Sequence, residues 1–185
     1  TFDSAVDVTG TPQITLSNSA VVDYLSGTTS ANLVFRYTVV EDHTDSAALD
    51  VSSIAANSGN IEDAFDNDFS TTMTGGDLGA VVVDADTPDI TGCTASAGTY
   101  NIGDAIDITC TFDSAVDVTG TPQITLSNSA VVDYTSGTTS ANLVFRYTVA
   151  EGHTASGALD VSSIAANGGT IQDAADNDFS TTMTG

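Results

Sequence analysis

The sequence predicts an all-β protein made of antiparallel β-sandwich domains repeated in tandem. Three observations lead to this fold class. Thr, Val, Ile, Ser, Asp and Gly dominate in short runs separated by turn residues, a pattern typical of strands. Several runs alternate apolar and polar residues, as a strand with one buried face does. One long stretch of the sequence also occurs twice.

The two copies of this stretch are nearly identical. They begin 110 residues apart, at Thr1 and Thr111, and residues 111–185 reproduce residues 1–75 with nine differences. This period is the size of a small domain with its own core, and it is too long for a solenoid unit. We therefore predict a partial repeat at residues 1–75 and a complete repeat at residues 76–185, of which residues 76–89 form an inter-repeat linker.

The complete repeat is expected to contain about seven strands, joined by turn sequences such as SGTTS, NGGT and GTYNIGD. Their number and spacing are typical of a two-sheet sandwich. In chain order, the predicted strands lie near residue 90 and at residues 104–112, 121–128, 130–134, 141–149, 157–166 and 178–184.

Two of these strands show the alternation most clearly. The stretch ANLVFRYTV, at residues 31–39 and again in the second copy, has an apolar stripe on one face and an arginine on the other. We expect the stripe to be core and each arginine to pair with a carboxylate on an adjacent strand. The side chains predicted to point inward are Leu33, Phe35, Tyr37 and Val39 in this stretch and Ile106, Ile108, Cys110 and Phe112 in DAIDITCTF.

The copy at residues 1–75 is expected to lack its first two strands, because residues 76–110 carry these strands for the second copy. It would then expose sheet edges and part of its core. Residues ahead of Thr1 in a longer chain are the favoured cover. In an array of near-identical repeats, a segment can begin at any point within a repeat. Strands from a neighbouring molecule are the alternative.

The chain is strongly acidic, with a net charge of −23, and Arg36 and Arg146 are its only basic residues. Such a surface repels nucleic acid and anionic membranes, and it favours solubility and divalent cations. A high-salt habitat is an alternative cause of this composition. The lack of lysine excludes a Walker-type phosphate loop and Schiff-base catalysis. No apolar run is long enough to predict direct membrane insertion.

Four stretches carry a resemblance to a known family: GTYNIGDAIDIT, TFDSAVDVTGTPQITL, LVFRYTVAEG and GGTIQDAADN. Together they resemble the tandem bacterial immunoglobulin-like repeats of giant extracellular adhesins and other long repetitive surface proteins. The resemblance implies an immunoglobulin-like antiparallel β-sandwich in each repeat, used as an extracellular extender, often with calcium rigidifying the joints. The chain departs from the family pattern in its cysteines and at Asp176, where such repeats commonly carry glycine.

Clusters of acidic residues are the candidates for calcium ligands. DAFDNDF and its copy DAADNDF concentrate carboxylates in one short loop, and the linker VVVDADTPD adds more. Calcium takes about six to eight oxygen ligands, which such loops can supply. The alternative is that these are solvated turn residues, because Asp and Asn favour turns without an ion. The candidate ligands are Asp63, Asp66, Asp68, Asp84, Asp86, Asp89, Asp173, Asp176 and Asp178.

Cys93 and Cys110 lie on the first two predicted strands of the complete repeat. We predict a disulfide between them, since an exported protein meets oxidising conditions, with free core thiols as the alternative. His43 and His153 fall in turns and are interpreted as surface residues. No catalytic residue is expected, because repetition of a domain favours length or avidity over a unique active site.

Three hypotheses describe the function. The leading one is a non-enzymatic, calcium-stiffened extender of an extracellular bacterial adhesin or surface fibre, whose partners are the adjacent repeats of the same chain. The second is a filament subunit that assembles with copies of itself by strand exchange. The third is a weak multivalent module that binds surface glycans or other cells, with tyrosines as stacking surfaces. Nucleic acid is not an expected partner.

Overall fold

The chain folds into two compact units, Thr1–Asp86 (unit 1) and Thr87–Gly185 (unit 2). All regular structure in the described residues is β-strand, and every strand pair is antiparallel. The all-β antiparallel fold predicted from the sequence is therefore confirmed. The computed structural model describes residues 1–41, 43, 48–69, 73, 75–153 and 157–180.

Six short strands form the described part of unit 1. They are β1 Val6–Thr9, β2 Gln13–Leu16, β3 Val21–Ser26, β4 Val34–Phe35, β5 Val51–Ala55 and β6 Asn60–Asp63. Four of them make one sheet in the order β4-β3-β2-β5, and β1 pairs with β6 in a second sheet. Val6 and Ile61 of the small sheet pack with Ile54 of the large one. Core side chains between two sheets are consistent with a β-sandwich.

Unit 2 has seven strands in its described residues. They are β7 Ile90–Ala95, β8 Ala105–Thr119, β9 Gln123–Leu126, β10 Val131–Ser136, β11 Ser140–Thr148, β12 Val161–Ala165 and β13 Thr170–Gln172. Their order is β12-β9-β10-β11-β8-β13, with β7 also paired to β8. The 15-residue β8 pairs with β7 and β11 through its first half and with β13 near its end. β8 is therefore the strand that links β7 and β11 to β13.

The core of unit 2 is one continuous cluster to which β8 and β11 contribute most of the central side chains. Leu143 and Phe145 are 0% exposed and Tyr147 is 4% exposed. The predicted alternation of DAIDITCTF is confirmed as well, because its inward positions are all buried. These positions are Ile106, Ile108, Cys110 and Phe112.

The same strand sequence behaves differently in unit 1. Residues 30–38 are identical to Ser140–Thr148, yet only Val34–Phe35 is strand in the first copy. Leu33, Phe35 and Tyr37 are only half-buried there. Val39 was predicted to point inward and is 49% exposed. The buried residues of unit 1 correspondingly fall into two separate clusters.

Residues 76–86, assigned from the sequence to the inter-repeat linker, lie in unit 1. The backbone N–H of Leu49 donates to the carbonyl of Val81 at 2.6 Å. Val83 and Ala85 are each 7% exposed and pack in the cluster that contains Leu49. This burial is the physical reason why the chain divides after Asp86 and not after residue 75.

The last strand predicted for the repeat, at residues 178–184, is described only in part. Asp178 forms an isolated bridge with Gln172, and residues 181–184 lie outside the described residues. Within the part of the chain that the structure covers, no helix has the length and apolar character needed to cross a membrane.

Candidate functional site

The loop that follows β13 is organised around the carboxylate of Asp173. Its Oδ1 accepts hydrogen bonds from the backbone N–H groups of Ala175 at 2.8 Å and Asn177 at 2.9 Å. Its Oδ2 accepts a third from the side-chain amide of Asn177 at 2.9 Å. The backbone N–H of Asp173 donates to the carbonyl of Asn177 at 3.1 Å. Asp173 therefore caps a tight turn with its own side chain.

This turn returns the chain to the core. Asp176 has a φ of 65°, in the left-handed region that favours glycine and that aspartate tolerates better than most residues. Directly after the turn, the backbone N–H of Phe179 donates to the carbonyl of Ile171 at 2.8 Å. The Phe179 ring then packs edge-on against Phe112, with the ring centroids 5.3 Å apart. Asp173 and Asp176 thus help to place a core aromatic side chain.

The corresponding loop of unit 1 has the same construction. Oδ1 of Asp63 accepts hydrogen bonds from the backbone N–H groups of Phe65 at 2.8 Å and Asn67 at 3.0 Å, and Oδ2 accepts one from the Asn67 amide at 2.9 Å. The side-chain amide of Asn67, followed by these backbone donors, holds the pKa of Asp63 below the ordinary aspartate value. Asp66 has a φ of 61°, as its counterpart does in unit 2.

The remaining candidate ligands lie in different surroundings. Asp68, like Asp178 in the second copy, forms an isolated backbone bridge, in its case with Glu62. Asp84 and Asp86 are exposed residues of unit 1 that alternate with buried positions of the same segment. Asp89 is an exposed residue of unit 2, and its backbone N–H donates to the carboxylate of Asp113 at 3.0 Å.

The candidate calcium ligands do not gather into one carboxylate cluster within the described residues. Among them, no group of three or more His, Cys, Asp or Glu side chains is arranged to hold a metal ion. The carboxylates of Asp63 and Asp173 accept hydrogen bonds from N–H groups of their own loops, which engages part of their capacity as acceptors. Turn formation accounts for these two aspartates without an ion, and calcium binding stays a prediction.

Cys93 of β7 and Cys110 of β8 are direct cross-strand partners and form a disulfide, with their Cα atoms 4.0 Å apart. Cys110 is 0% exposed, and Cys93 packs against the same core. The disulfide therefore closes the hairpin made by β7 and the first half of β8. This hairpin has no counterpart in the described part of unit 1.

A polar cluster in each unit links the end of the arginine-bearing strand sequence to two turns. In unit 2, the Tyr147 hydroxyl accepts a hydrogen bond from the Asn128 side-chain amide at 3.0 Å and lies 3.1 Å from Nδ1 of His153. In the contact between the hydroxyl and Nδ1, the tautomer of the imidazole decides which of the two atoms donates the proton. Tyr37 lies 3.0 Å from Nδ1 of His43 in the same way in unit 1.

These histidines were interpreted from the sequence as surface residues, and each is in fact half-buried and stacked on its tyrosine. Sequence reasoning missed the cluster. The two copies are so similar that most polar residues recur, and recurrence therefore cannot distinguish a hydrogen-bonded set from solvated turn residues.

Arg146 of β11 pairs with Asp107 of β8, as the sequence predicted for an arginine on the outer face of this strand. Its Nε lies 2.6 Å from Oδ1 and its Nη2 lies 2.8 Å from Oδ2 of the aspartate. The arginine holds the pKa of Asp107 below its ordinary value. Arg36, the equivalent residue of the first copy, follows β4, is exposed, and has no ion pair within the described residues.

Unit 1 has an open, largely apolar groove of about 890 Å³. Its wall includes Leu33, Phe35 and Tyr37, together with the core residues Val22 and Ile61. Val34 at the edge of the sheet is 46% exposed. Within the described residues, unit 1 therefore has an exposed sheet edge beside this groove.

No protein-family model matches this chain, and no curated protein or solved structure matches it. The resemblance to immunoglobulin-like adhesin repeats therefore depends on the sequence landmarks alone. The site features that remain for a functional argument are the repetition of the unit, the disulfide-closed hairpin and the open groove.

Proposed function

We propose that the chain is a structural extender, a run of immunoglobulin-like repeats from an extracellular bacterial adhesin or surface fibre. This proposal rests on the observation that two near-identical sequences lie in two separate compact units. Residues 1–75 and 111–185 differ at nine positions, and each copy lies in a compact β-unit of its own. Duplication of a whole unit adds length to a chain without adding a new kind of site.

Several properties support an exported setting. The Cys93–Cys110 disulfide is of the kind that persists in oxidising compartments. The net charge of −23 keeps a long repetitive chain soluble and discourages copies from associating through their faces. Each repeat is also compact enough to keep its own core, as Leu143 and Phe145 show in unit 2.

The described loops do not by themselves support the calcium-stiffening part of the hypothesis. The aspartates of the loops after β6 and β13 are engaged in turn formation. Calcium remains a separate question, which a titration answers.

Small-angle scattering of chains with two, four and six complete repeats tests the extender. The proposal expects the maximum dimension to grow by a constant increment with each added repeat, close to the length of one sandwich. For strands of about 5 to 10 residues at about 3.3 Å each, plus a linker, that increment is about 35–45 Å. A maximum dimension that levels off as repeats are added would mean that the array collapses on itself, and would contradict the proposal.

A further inference from the structure

The strand β7 contributes little to the core of unit 2. Among its six residues, Ile90 is 6% exposed and Cys93 is half-buried, and both pack in the core cluster. The other four positions of β7 are exposed. Its neighbour β8, by contrast, buries Ile106, Ile108, Cys110, Phe112 and Val116. Hydrophobic burial therefore holds β7 much more weakly than it holds β8.

Backbone pairing holds β7 to a single neighbour. Within the described residues, β7 pairs with β8 alone, from Ile90 opposite Phe112 to Ala95 opposite Ile108. β8 also pairs with β11 and, further along, with β13. Separation of β7 would therefore break no other strand pair. A strand with few buried contacts and one neighbour is the kind of element that opens locally while the rest of a domain stays folded.

The disulfide opposes this separation at one position. Cys93 lies directly opposite Cys110 in the register of β7 and β8, and Cys110 lies directly opposite Leu143 of β11. Cys110 and Leu143 are both 0% exposed. The bond therefore joins a half-buried position of the edge strand to a fully buried position of the strand beside it.

β7 is also the first strand of unit 2 along the chain. Unit 1 ends at Asp86, and β7 begins at Ile90. Tension along the chain from the side of unit 1 therefore reaches β7 before any other strand of unit 2. Through the disulfide this tension passes from Cys93 to Cys110. The turn at residues 96–104, which joins β7 to β8, then carries no force.

We propose that the Cys93–Cys110 disulfide transmits tension from β7 to β8 and so keeps β7 in the sheet while unit 2 is stretched. Without the bond, β7 is the first strand to separate, because backbone hydrogen bonds and few buried contacts then hold it. The presence of tension rests on the proposed extender function. The order in which the strands separate is a property of unit 2 itself.

A dithiol is the class of reagent that removes the bond. One of its thiolates attacks a sulfur of the disulfide, and its second thiol resolves the mixed disulfide. The dithiol is oxidised to a cyclic disulfide, and its two electrons and two protons convert Cys93 and Cys110 to thiols. Comparison of the oxidised and reduced chains therefore measures the contribution of the bond without a change of sequence.

The test stretches single molecules of the full chain in optical tweezers, with handles at both ends. With the disulfide intact, no step that releases residues 87–104 should precede unfolding of the rest of unit 2. With a dithiol, an additional low-force step of about 40–60 Å should appear, because these residues leave the sheet first. The fully extended chain should also be about 55–60 Å longer, since no bond closes the sequence separation of 17 residues.

Two controls accompany the stretching experiment. Replacement of both cysteines by alanine should give the additional step without a dithiol, and the dithiol should then have no further effect. Unit 1 has no cysteine, so its own steps should be the same in all samples. A longer extended chain without the additional step would show that the bond was reduced but that β7 does not separate first, and would overturn the proposal.

Ile90→Ala distinguishes the covalent bond from the apolar contact of β7. In the oxidised chain it should release residues 87–92 at most, a step of about 20 Å or less, because Cys93 is still held. In the reduced chain it should lower the force of the additional step, because a buried side chain of β7 is lost. A step of about 40–60 Å in the oxidised variant would overturn the proposal.

Hydrogen exchange followed by NMR checks the same order of opening without force. In the variant with both cysteines replaced by alanine, amides of residues 92–95 should exchange at least about ten-fold faster than those of Leu143 and Phe145, after correction for intrinsic rates. Slow exchange of the two β11 amides also shows that the variant is folded. Equal exchange in β7 and β11 would mean that β7 opens only with the whole unit, which contradicts the proposal.

The result is separable from that of the scattering series. If the maximum dimension levels off as repeats are added, the extender is excluded, while the order of separation in a single chain can still be measured. If the reduced chain unfolds unit 2 in one step, the role of the disulfide is excluded, and the scattering result is unaffected.

Discussion

Asp107 and Arg146 lie opposite each other on β8 and β11 and form a two-pronged ion pair, with Nε 2.6 Å from Oδ1 and Nη2 2.8 Å from Oδ2. The pKa of Asp107 is lowered by the hydrogen bonds from Arg146. A carboxyl group whose pKa is lower in the folded state stabilises that state above its unfolded pKa of about 3.9. The contribution disappears as the pH falls through the folded pKa.

The first prediction concerns this pH dependence. Asp107→Asn should lower the unfolding temperature of unit 2 at about pH 6, and the difference from the unmodified chain should shrink and then vanish as the pH falls through the lowered pKa of Asp107 in the folded state. Thermal unfolding followed by NMR signals of unit 2 measures it. Asp117→Asn removes the same charge from another exposed position of β8 and serves as the control. An equal effect of the two substitutions would exclude a specific contribution of the pair.

The second prediction concerns backbone protection in two identical sequences. Amides of Leu143, Phe145 and Tyr147 should exchange with solvent roughly a hundred-fold or more slowly than the matching amides of residues 33, 35 and 37. Intrinsic exchange rates are the same because the neighbouring residues are the same. NMR is the required method, since peptide fragments from the two copies have equal mass. Equal protection would show that residues 30–38 are covered in solution.

Phe145 and Phe35 provide the third prediction. Phe145→Ala should destabilise unit 2 by about 3–5 kcal/mol, because it leaves a cavity in a closed core. Phe35→Ala should destabilise unit 1 by less than about 2 kcal/mol, because this side chain is half-buried beside an open groove. Urea unfolding with signals resolved for each unit measures both. Equal losses would contradict the difference in burial.

The fourth prediction concerns the disulfide. Replacement of both Cys93 and Cys110 by alanine should destabilise unit 2 by about 3 kcal/mol in the chain-entropy model for a sequence separation of 17 residues. Unit 1 in the same molecule is the internal control, and its stability should not change. Loss of stability in both units would show that they unfold together.

The fifth prediction separates the turn role of Asp173 from a role in calcium binding. Asp173→Asn keeps the Oδ1 that accepts backbone hydrogen bonds, so it should change the stability of unit 2 by less than about 1 kcal/mol. Asp173→Ala removes this acceptor and should cost about 1–2 kcal/mol. The same samples are titrated with calcium in a calorimeter. Saturable binding that Asp173→Asn abolishes would assign the loop to the ion.

Much of this architecture could be predicted because it depends on side-chain alternation. Ile106, Ile108 and Cys110 are buried as their spacing predicts, since a strand directs alternate side chains to one face. The boundary between the two units could not be predicted from side-chain alternation. Residues 76–86 continue unit 1 because Val83 and Ala85 pack in its core, and the local sequence does not show which core these side chains join.

In the candidate site, too, some features could be predicted from the sequence and others could not. The two cysteines were predictable as a pair because both lie on neighbouring strands of one repeat. The interaction of Tyr147 with Asn128 and His153 was not, since it joins side chains from three places in the unit. For the aspartate loops, composition alone does not distinguish a calcium ligand from a residue that caps a turn. Hydrogen bonds at Asp173 show the turn cap.

By itself, the sequence determined the all-β class, the repeat and the face on which each side chain of a strand lies. Only the tertiary structure decided how far the strand sequence SANLVFRYT is ordered as a strand. It is nine residues in β11 and two in β4. A strand is stable only where a neighbour accepts and donates its backbone hydrogen bonds and covers its apolar face, and β8 does this for β11 alone.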